Sequence, residues 1–368
     1  MKREIRKSPH RAPPKSAPPK SVRAAARPTA KNSAGLPVLL RCAPGLSRMM
    51  QHEMRFRKLM ERGARPTEVY QRNHDIVFLK NVMNRENIAQ MRIAEDAGNC
   101  LIHGQFKITP AQLDRAADAL LGLRHPLKLA VTADGRHFDR RDMERFMSRE
   151  LIRRGVRLAD EGKMLWLFIV DEKFYLVQET AREDAAWSRH LRRREREGSL
   201  PPTIGAAMAF IAKPQPRETV LDPCCGSGTL LAEAHGLQPD LAKLTGFDLD
   251  AQAIAIAREN LRKIPNAEAF TGDGTQTARP DASVDLLLAN LPFGKQYGKR
   301  VENPALYAAL LKEALRLAIK PAFRAVLLTS DVPAFKGAMQ EVRELKYEEA
   351  FNVKIRGEQS RCYLVTLK

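Results

Sequence analysis

The stretch Val220–Glu233, reading VLDPCCGSGTLLAE, constrains the fold more than any other part of the chain. Val220 and Leu221 read as the end of a buried strand, closed by Asp222. The run Cys224-Cys225-Gly226-Ser227-Gly228 then turns, and Thr229 to Ala234 reads as the first turns of a helix. Gly226 and Gly228 lack Cβ, so they can take φ > 0 and let a ligand lie against bare main chain. A dinucleotide fingerprint needs a third glycine, and that position is Leu231. There is no P-loop pattern either. An acidic strand end followed by Gly-Ser-Gly suits a cofactor carrying a cation and an adenosine rather than a pyrophosphate. The same residues would also serve a plain strand-to-helix turn.

From Glu218 onward strands and helices alternate. Strands are expected at Thr219–Pro223, Leu244–Asp248, Glu268–Thr271, Val284–Asn290 and Arg324–Thr329, with helices between them at Ala251–Lys263 and Ala305–Ile319. This alternation predicts a parallel sheet with right-handed crossovers. The end differs: Glu348 to Lys354 and Arg361 to Leu367 read as a hairpin around residues 356–360. Ligands of such sheets bind at the carboxyl ends of the strands. Three acids fall there on successive strands: Asp222, Asp248 and Asp273, with Asp250 a rival to Asp248.

The apolar strand Ser283–Leu288 runs straight into Ala289-Asn290-Leu291-Pro292-Phe293-Gly294. Together with the first stretch this resembles the Asn/Asp-Pro-Pro-Tyr/Phe signature of amino-group methyltransferases that use S-adenosylmethionine. The variant NLPFG is similar to the THUMP-domain RNA guanine-N2 methyltransferases, of the kind acting on the tRNA acceptor stem. The two motifs lie in the right order, about 65 residues apart.

The resemblance implies an S-adenosylmethionine pocket. Asp222 would meet the methionyl ammonium, Gly226 and Gly228 would give backbone access, Asp248 would accept from the ribose hydroxyls, and Asp273 from the adenine amino group. It also implies that Asn290 and the Leu291 carbonyl hold the two hydrogens of an exocyclic amine, and that Asn290 borders the cofactor. Pro292 fixes the turn and has no N–H to compete, and Phe293 stacks on a base that is first flipped out of its helix. Leu291 stands where this signature often has Pro. The group used there is main chain, so little effect is expected. Leu200-Pro201-Pro202-Thr203 and the helix Ile204–Ala212 would pack beside the cofactor.

Adjacent Cys224 and Cys225 point apart and lack partner ligands. The eight His form no metal-binding cluster, so no metal site is expected. Five cysteines without a disulfide framework fit a reducing cytoplasm. No run of 18 apolar residues occurs, so no membrane-spanning helix is expected.

Net charge is +19, the signature of a polyanionic partner. Residues Met1–Pro37 hold ten Lys or Arg against the single acid Glu4, so the remaining body keeps +10. That first segment, rich in Pro, Ala, Ser and Lys, cannot bury a core and reads as a disordered tail. It could draw in phosphates or simply solubilise the chain.

Order is expected from Val38. Residues 38–97 are a candidate ferredoxin-like segment, with a strand at Val38–Cys42, a helix over Gly45–Arg57 and a strand pair within Glu68–Lys80. Residues 98–183 resemble a THUMP module, with an amphipathic helix at Ala111–Leu121, a basic helix at Arg140–Arg154 and a hairpin of Met164–Val170 with Phe174–Glu179. Its Arg136, Arg140, Arg141, Arg149, Arg153, Arg154 and Arg157 could grip phosphates or form a solvated face. Residues 184–201 form a basic linker.

The expected architecture is therefore α/β. A Rossmann-like methyltransferase domain over 202–368, with a mostly parallel seven-stranded sheet and a terminal antiparallel hairpin, follows an α+β RNA-binding region and a basic tail. The expected activity is methylation of guanine N2 in tRNA by a monomeric cytoplasmic enzyme, with rRNA as runner-up. A DNA adenine or cytosine amino-methyltransferase and a non-catalytic RNA-binding protein are the rivals.

Overall fold

The structure is a computed structural model. It describes residues 35–61, 63–70, 74–105, 107–134, 139–170, 172–180, 199–292, 300–355 and 357–368. The tail up to residue 34 and the linker from 184 to 198 lie outside these residues.

The N-terminal half is built on a seven-stranded sheet in the order β2-β3-β1-β4-β7-β6-β5. Its strands are β1 (Val38–Cys42), β2 (Thr67–Tyr70), β3 (Asp75–Leu79), β4 (Asp96–Gln105), β5 (Leu127–Asp134), β6 (Lys163–Val170) and β7 (Lys173–Glu179). Period-two alternation assigns the two faces of β6. Leu165, Leu167 and Ile169 share a core with α2 (Pro110–Leu120) and α3 (Arg140–Arg153), while Trp166, Phe168 and Val170 join Phe78, Tyr175 and Val177 in a second one. Helix α2 begins at a capping box, with the Thr109 side chain accepting from Gln112 N–H and the Gln112 side chain accepting from Thr109 N–H. Strand β4 pairs with β1 on one side and β7 on the other. The expected boundary between residues 97 and 98 therefore falls inside a strand, and the two segments share one sheet.

The C-terminal half holds the second seven-stranded sheet, in the order β10-β9-β8-β11-β12-β14-β13. These strands are β8 (Thr219–Asp222), β9 (Lys243–Asp248), β10 (Ala267–Thr271), β11 (Leu286–Asn290), β12 (Arg324–Thr329), β13 (Leu345–Ile355) and β14 (Glu358–Leu367). The first five in that spatial order are mutually parallel, and β14 lies antiparallel to β12. Strand order reverses between β8 and β11, which opens the ligand crevice at their carboxyl ends.

The helices of this half are α4 (Pro202–Ala212), α5 (Thr229–Leu237), α6 (Ala251–Leu261), α7 (Asn303–Leu317) and α8 (Val332–Glu341). Two expected limits shift. Val284 makes only an isolated bridge to Ala318, so β11 starts at Leu286. The terminal hairpin pairs out to Ile355 and Glu358, so its loop is much shorter than residues 356–360.

The two halves do not meet as separate bodies. Leu46, Met50 and Met54 of the segment around α1 (Ser47–Phe56) lie in one apolar cluster with Ala206, Ala207 and Met208 of α4 and Phe351 and Val353 of β13. Phe56 meets Phe210 edge to face at 5.5 Å. Beside this core lies a buried ion pair. Arg92 donates from Nε and Nη2 to Glu233 Oε2 at 2.9 and 2.7 Å, with both side chains at most 10% exposed. Glu53, 1% exposed, accepts from the N–H groups of Arg92 and Ile93 and holds that segment in place.

Candidate active site

Strand β8 delivers Asp222 to the crevice almost completely buried, at 1% exposure. Its carboxylate accepts from Cys224 N–H at 3.1 Å, and no cationic side chain pairs with it among the described residues. Burial pushes its pKa well above the usual carboxylate range. The Cys224 N–H offsets part of this, and the charge of Asp248 adds to it. A buried acid in this condition is matched to a cation brought by a ligand.

Gly226 and Gly228 adopt φ of +52° and +80°. A Cβ at Gly226 would meet nothing within 4 Å, so the turn has open space on its ligand side. Gly226 donates its N–H to Asp248 Oδ2 at 2.9 Å, and Asp250 N–H donates to Asp248 Oδ1 at 3.0 Å. These bonds hold the Asp248 carboxylate at the mouth of the turn. Its rival Asp250 instead caps α6, accepting from Gln252 and Ala253 N–H. Between the two acids stands Leu249, 76% exposed. Sequence reasoning passed over this apolar surface, whose only signal was a leucine between two acids. Asp273 is exposed and accepts from Thr275 N–H and Oγ1, both at 2.8 Å. Its loop is pinned to the first strand end: a Cβ on Gly274 would stand 1.9 Å from the Pro223 carbonyl oxygen.

The second motif touches the first. Cys224 Sγ donates to the Asn290 carbonyl at 3.4 Å, and β8 and β11 are paired neighbours. Burial, with the charges of Asp222 and Asp248, pushes the Cys224 and Cys225 thiols well up, so both stay protonated and neither is an activated nucleophile. Asn290 ends β11 with its side-chain Oδ1 buried and without a hydrogen-bond partner among the described residues. An unmet buried acceptor costs roughly 1–3 kcal/mol, so an arriving donor is strongly favoured there.

Leu291 is buried and donates its N–H to the Leu328 carbonyl at 2.9 Å. The Pro292 carbonyl accepts from the Tyr307 hydroxyl at 2.7 Å. Phe293, expected to stack on a base, lies outside the described residues. Sequence reasoning also missed Ser199, whose hydroxyl bonds that of Ser227 at 3.1 Å, and Asn260, which donates to the Ser227 carbonyl at 2.9 Å. Tyr307 lay within the expected helix Ala305–Ile319 and was not singled out. Ser199 and Asn260 carried no motif at all.

Of the arginines that could grip phosphate or form a solvated face, four are engaged within their own module, Arg149 and Arg153 by pairing with Glu150 at 3.6 and 3.3 Å. Arg154 pairs with Asp114 and Glu150 at 2.7 and 2.8 Å. Arg157 donates to the Leu123 and Arg124 carbonyls. Arg140 and Arg141 are exposed, and Arg136 lies outside the described residues.

Known proteins place the fold. Over 171 residues the chain is 32% identical to the tRNA (guanine(6)-N2)-methyltransferase of Thermus thermophilus, covering 46% of this chain and 50% of that protein. Over 161 residues it is 28% identical to human tRNA (guanine(6)-N(2))-methyltransferase THUMP3, covering 40% of this chain and 32% of that protein. The matched stretches thus span about a third to a half of these relatives. The crystal structure of TrmN from Thermus thermophilus superposes with a TM-score of 0.75 at 24% identity, over 90% of this chain and 100% of that one. The family model described as RMKL-like, methyltransferase domain matches residues 189–361, just under half of this chain.

Proposed function

We propose that the protein transfers a methyl group from S-adenosylmethionine to the exocyclic N2 of a guanosine in RNA, with tRNA as the substrate and rRNA as the second choice. The observation that carries this reading is the junction of the two motifs. The Asn290 acceptor, unpartnered among the described residues, ends the strand beside the one that delivers the buried Asp222, which meets no cationic side chain among those residues, and Cys224 joins them. The names of the guanine-N2 relatives support the target atom.

The residues present fit the cofactor. Asp222 meets an ammonium, Asp248 accepts from ribose hydroxyls, and the open Gly226 turn admits the chain between them. When bound, S-adenosylmethionine supplies an electrophilic methyl group on a sulfonium. The protein's part is to present the amine. A guanine N2 is a weak nucleophile because its lone pair is delocalised into the ring. Asn290 Oδ1 accepts one N2–H and the Leu291 carbonyl the other, which favours a pyramidal nitrogen with its lone pair directed at the methyl carbon. Orientation at near-attack distance and acceptors facing the growing positive charge supply the rate. The surplus proton leaves to water once the N–C bond has formed, so no strong base is required.

The test is nucleoside mass spectrometry of tRNA and rRNA incubated with the protein and methyl-labelled cofactor. Labelled N2-methylguanosine in the tRNA fraction is expected. Label confined to rRNA selects the second substrate, and label only in adenosine or cytidine overturns the reading.

Two further outcomes follow from the cofactor side. Asp248→Ala is expected to weaken S-adenosylmethionine binding by about 1.5–3 kcal/mol, the usual size of lost charge-assisted hydrogen bonds, as read by calorimetry. Binding should also depend on pH. Burial raises the Asp222 carboxyl's pKa in the free protein, so an ammonium bound beside it drives a proton off. Affinity then rises with pH until the free carboxyl is already ionised. Calorimetry in two buffers of different ionisation enthalpy reads that released proton, and identical heats across the rising limb would refute the pairing.

A further inference from the structure

Behind the Asn290-Leu291-Pro292 turn runs a chain of buried hydrogen bonds. Asp331 N–H donates to Thr329 Oγ1 at 2.9 Å, and Thr329 lies 2.9 Å from the Tyr307 hydroxyl, which donates to the Pro292 carbonyl at 2.7 Å. Tyr307 has a single hydroxyl proton and gives it to Pro292, so Thr329 must donate to Tyr307. The polarity of the chain is therefore fixed from end to end. Its far end is anchored on two helix starts. Asp331 accepts from Ala334 N–H at the start of α8 and from Asn303 Nδ2, at the start of α7, at 2.9 Å. Tyr307, Thr329, Asp331 and Asn303 are all at most 5% exposed.

We infer that Tyr307 is the positioning residue of the transfer turn. Its bond sets the plane of the peptide that follows Pro292. On the other flank, Leu291 N–H is tied to the Leu328 carbonyl. The Leu291–Pro292 peptide is thus held from both sides, and proline's locked φ removes one remaining rotation. The Leu291 carbonyl and the Asn290 side chain, the two acceptors assigned to the amine, inherit their directions from this bracket. Tyr307 acts on the transfer through the turn, by its bond to the Pro292 carbonyl. A phenylalanine of the same shape would fill the same apolar crevice, lined by Pro223, Leu291 and Phe335, and lack only the donor.

The inference rests on the proposed amine transfer. Tyr307→Phe is compared with wild type by single-turnover methylation, cofactor calorimetry, RNA filter binding and thermal melting. The expected result is a transfer rate about tenfold lower, the worth of one buried hydrogen bond, with both affinities within about twofold of wild type. A merely structural role would lower melting and leave the rate per folded molecule unchanged. Thr329→Val keeps the Tyr307 donor but removes its polarising neighbour and the acceptor of Asp331 N–H, so a smaller rate loss of about threefold is expected, together with lower melting. It also serves should Tyr307→Phe fail to fold. In an Asn290→Ala background the Tyr307→Phe loss should shrink, because one of the two acceptors it orients is gone. Wild-type rates in both single variants overturn the inference and leave the function standing. A wild-type protein that methylates no RNA overturns the function, and the inference with it.

Discussion

Asn290→Ala is expected to slow methyl transfer by about 10²–10³-fold, the usual loss on removing one preorganised hydrogen-bonding group from a transition state. The size follows from the burial of Oδ1 and its lack of a partner among the described residues. Among the described residues no group bonds that oxygen, so its deletion should cost the fold little and fall mainly on the reaction. RNA affinity, dominated by phosphate contacts elsewhere, should change by less than about threefold. Cofactor affinity should follow Asp248 and Asp222 more than Asn290. Single-turnover rates at saturating cofactor, with filter binding alongside, separate these quantities. Near wild-type transfer by Asn290→Ala would mean that the amine is held elsewhere, and the amino-transfer assignment would fail even if the cofactor binds.

Glu233→Ala should have the largest effect on stability, about 3 kcal/mol or more, because it strips a buried guanidinium of its carboxylate. For a protein of this size that is a fall in melting temperature of roughly 5–10 °C. Replacing both Arg92 and Glu233 by leucine should recover most of the loss, since the buried guanidinium is then removed together with the carboxylate. Thermal melting of the two variants decides it. If the double variant is as unstable as Glu233→Ala, the damage lies in packing and not in the ion pair. Glu233 sits on α5, the helix that starts at the Gly228 turn, so a loosened pair should also weaken cofactor binding.

The sequence was legible where function is local. Asp222, Gly226 and Gly228 lie within a few residues of one another, and a strand end, a turn and a helix start suffice to interpret them. The five parallel strands were legible for the same reason, since each buries a short apolar run between turns. Asn290 could be singled out because a strand ran straight into Leu-Pro-Phe. Tyr307 could not, because its hydroxyl meets the Pro292 carbonyl across fifteen residues and its ring behaves as one more apolar helix position. The ion pair of Arg154 could not be foreseen, because Asp114, forty residues away, cannot be placed beside it by any periodicity. The continuity of the first sheet was equally hidden. Nothing in the sequence of β4 marks that it is paired on both edges, so the expected module boundary was placed inside it.

The core shared by α1, α4 and β13 bears on how such a protein is inherited. Two modules joined only by a tether can be exchanged by recombination, each carrying its own stability. Here a cut between the halves would leave the small residues of α4 and the apolar side of β13 facing water, and Arg92 without the carboxylate of Glu233. A foreign N-terminal half could be accepted only if it brought a matching helix and a matching cation. The distance between the surface of the first sheet and the Asn290 turn is therefore passed on as a property of the core, and lengthening the connecting segment would not change it.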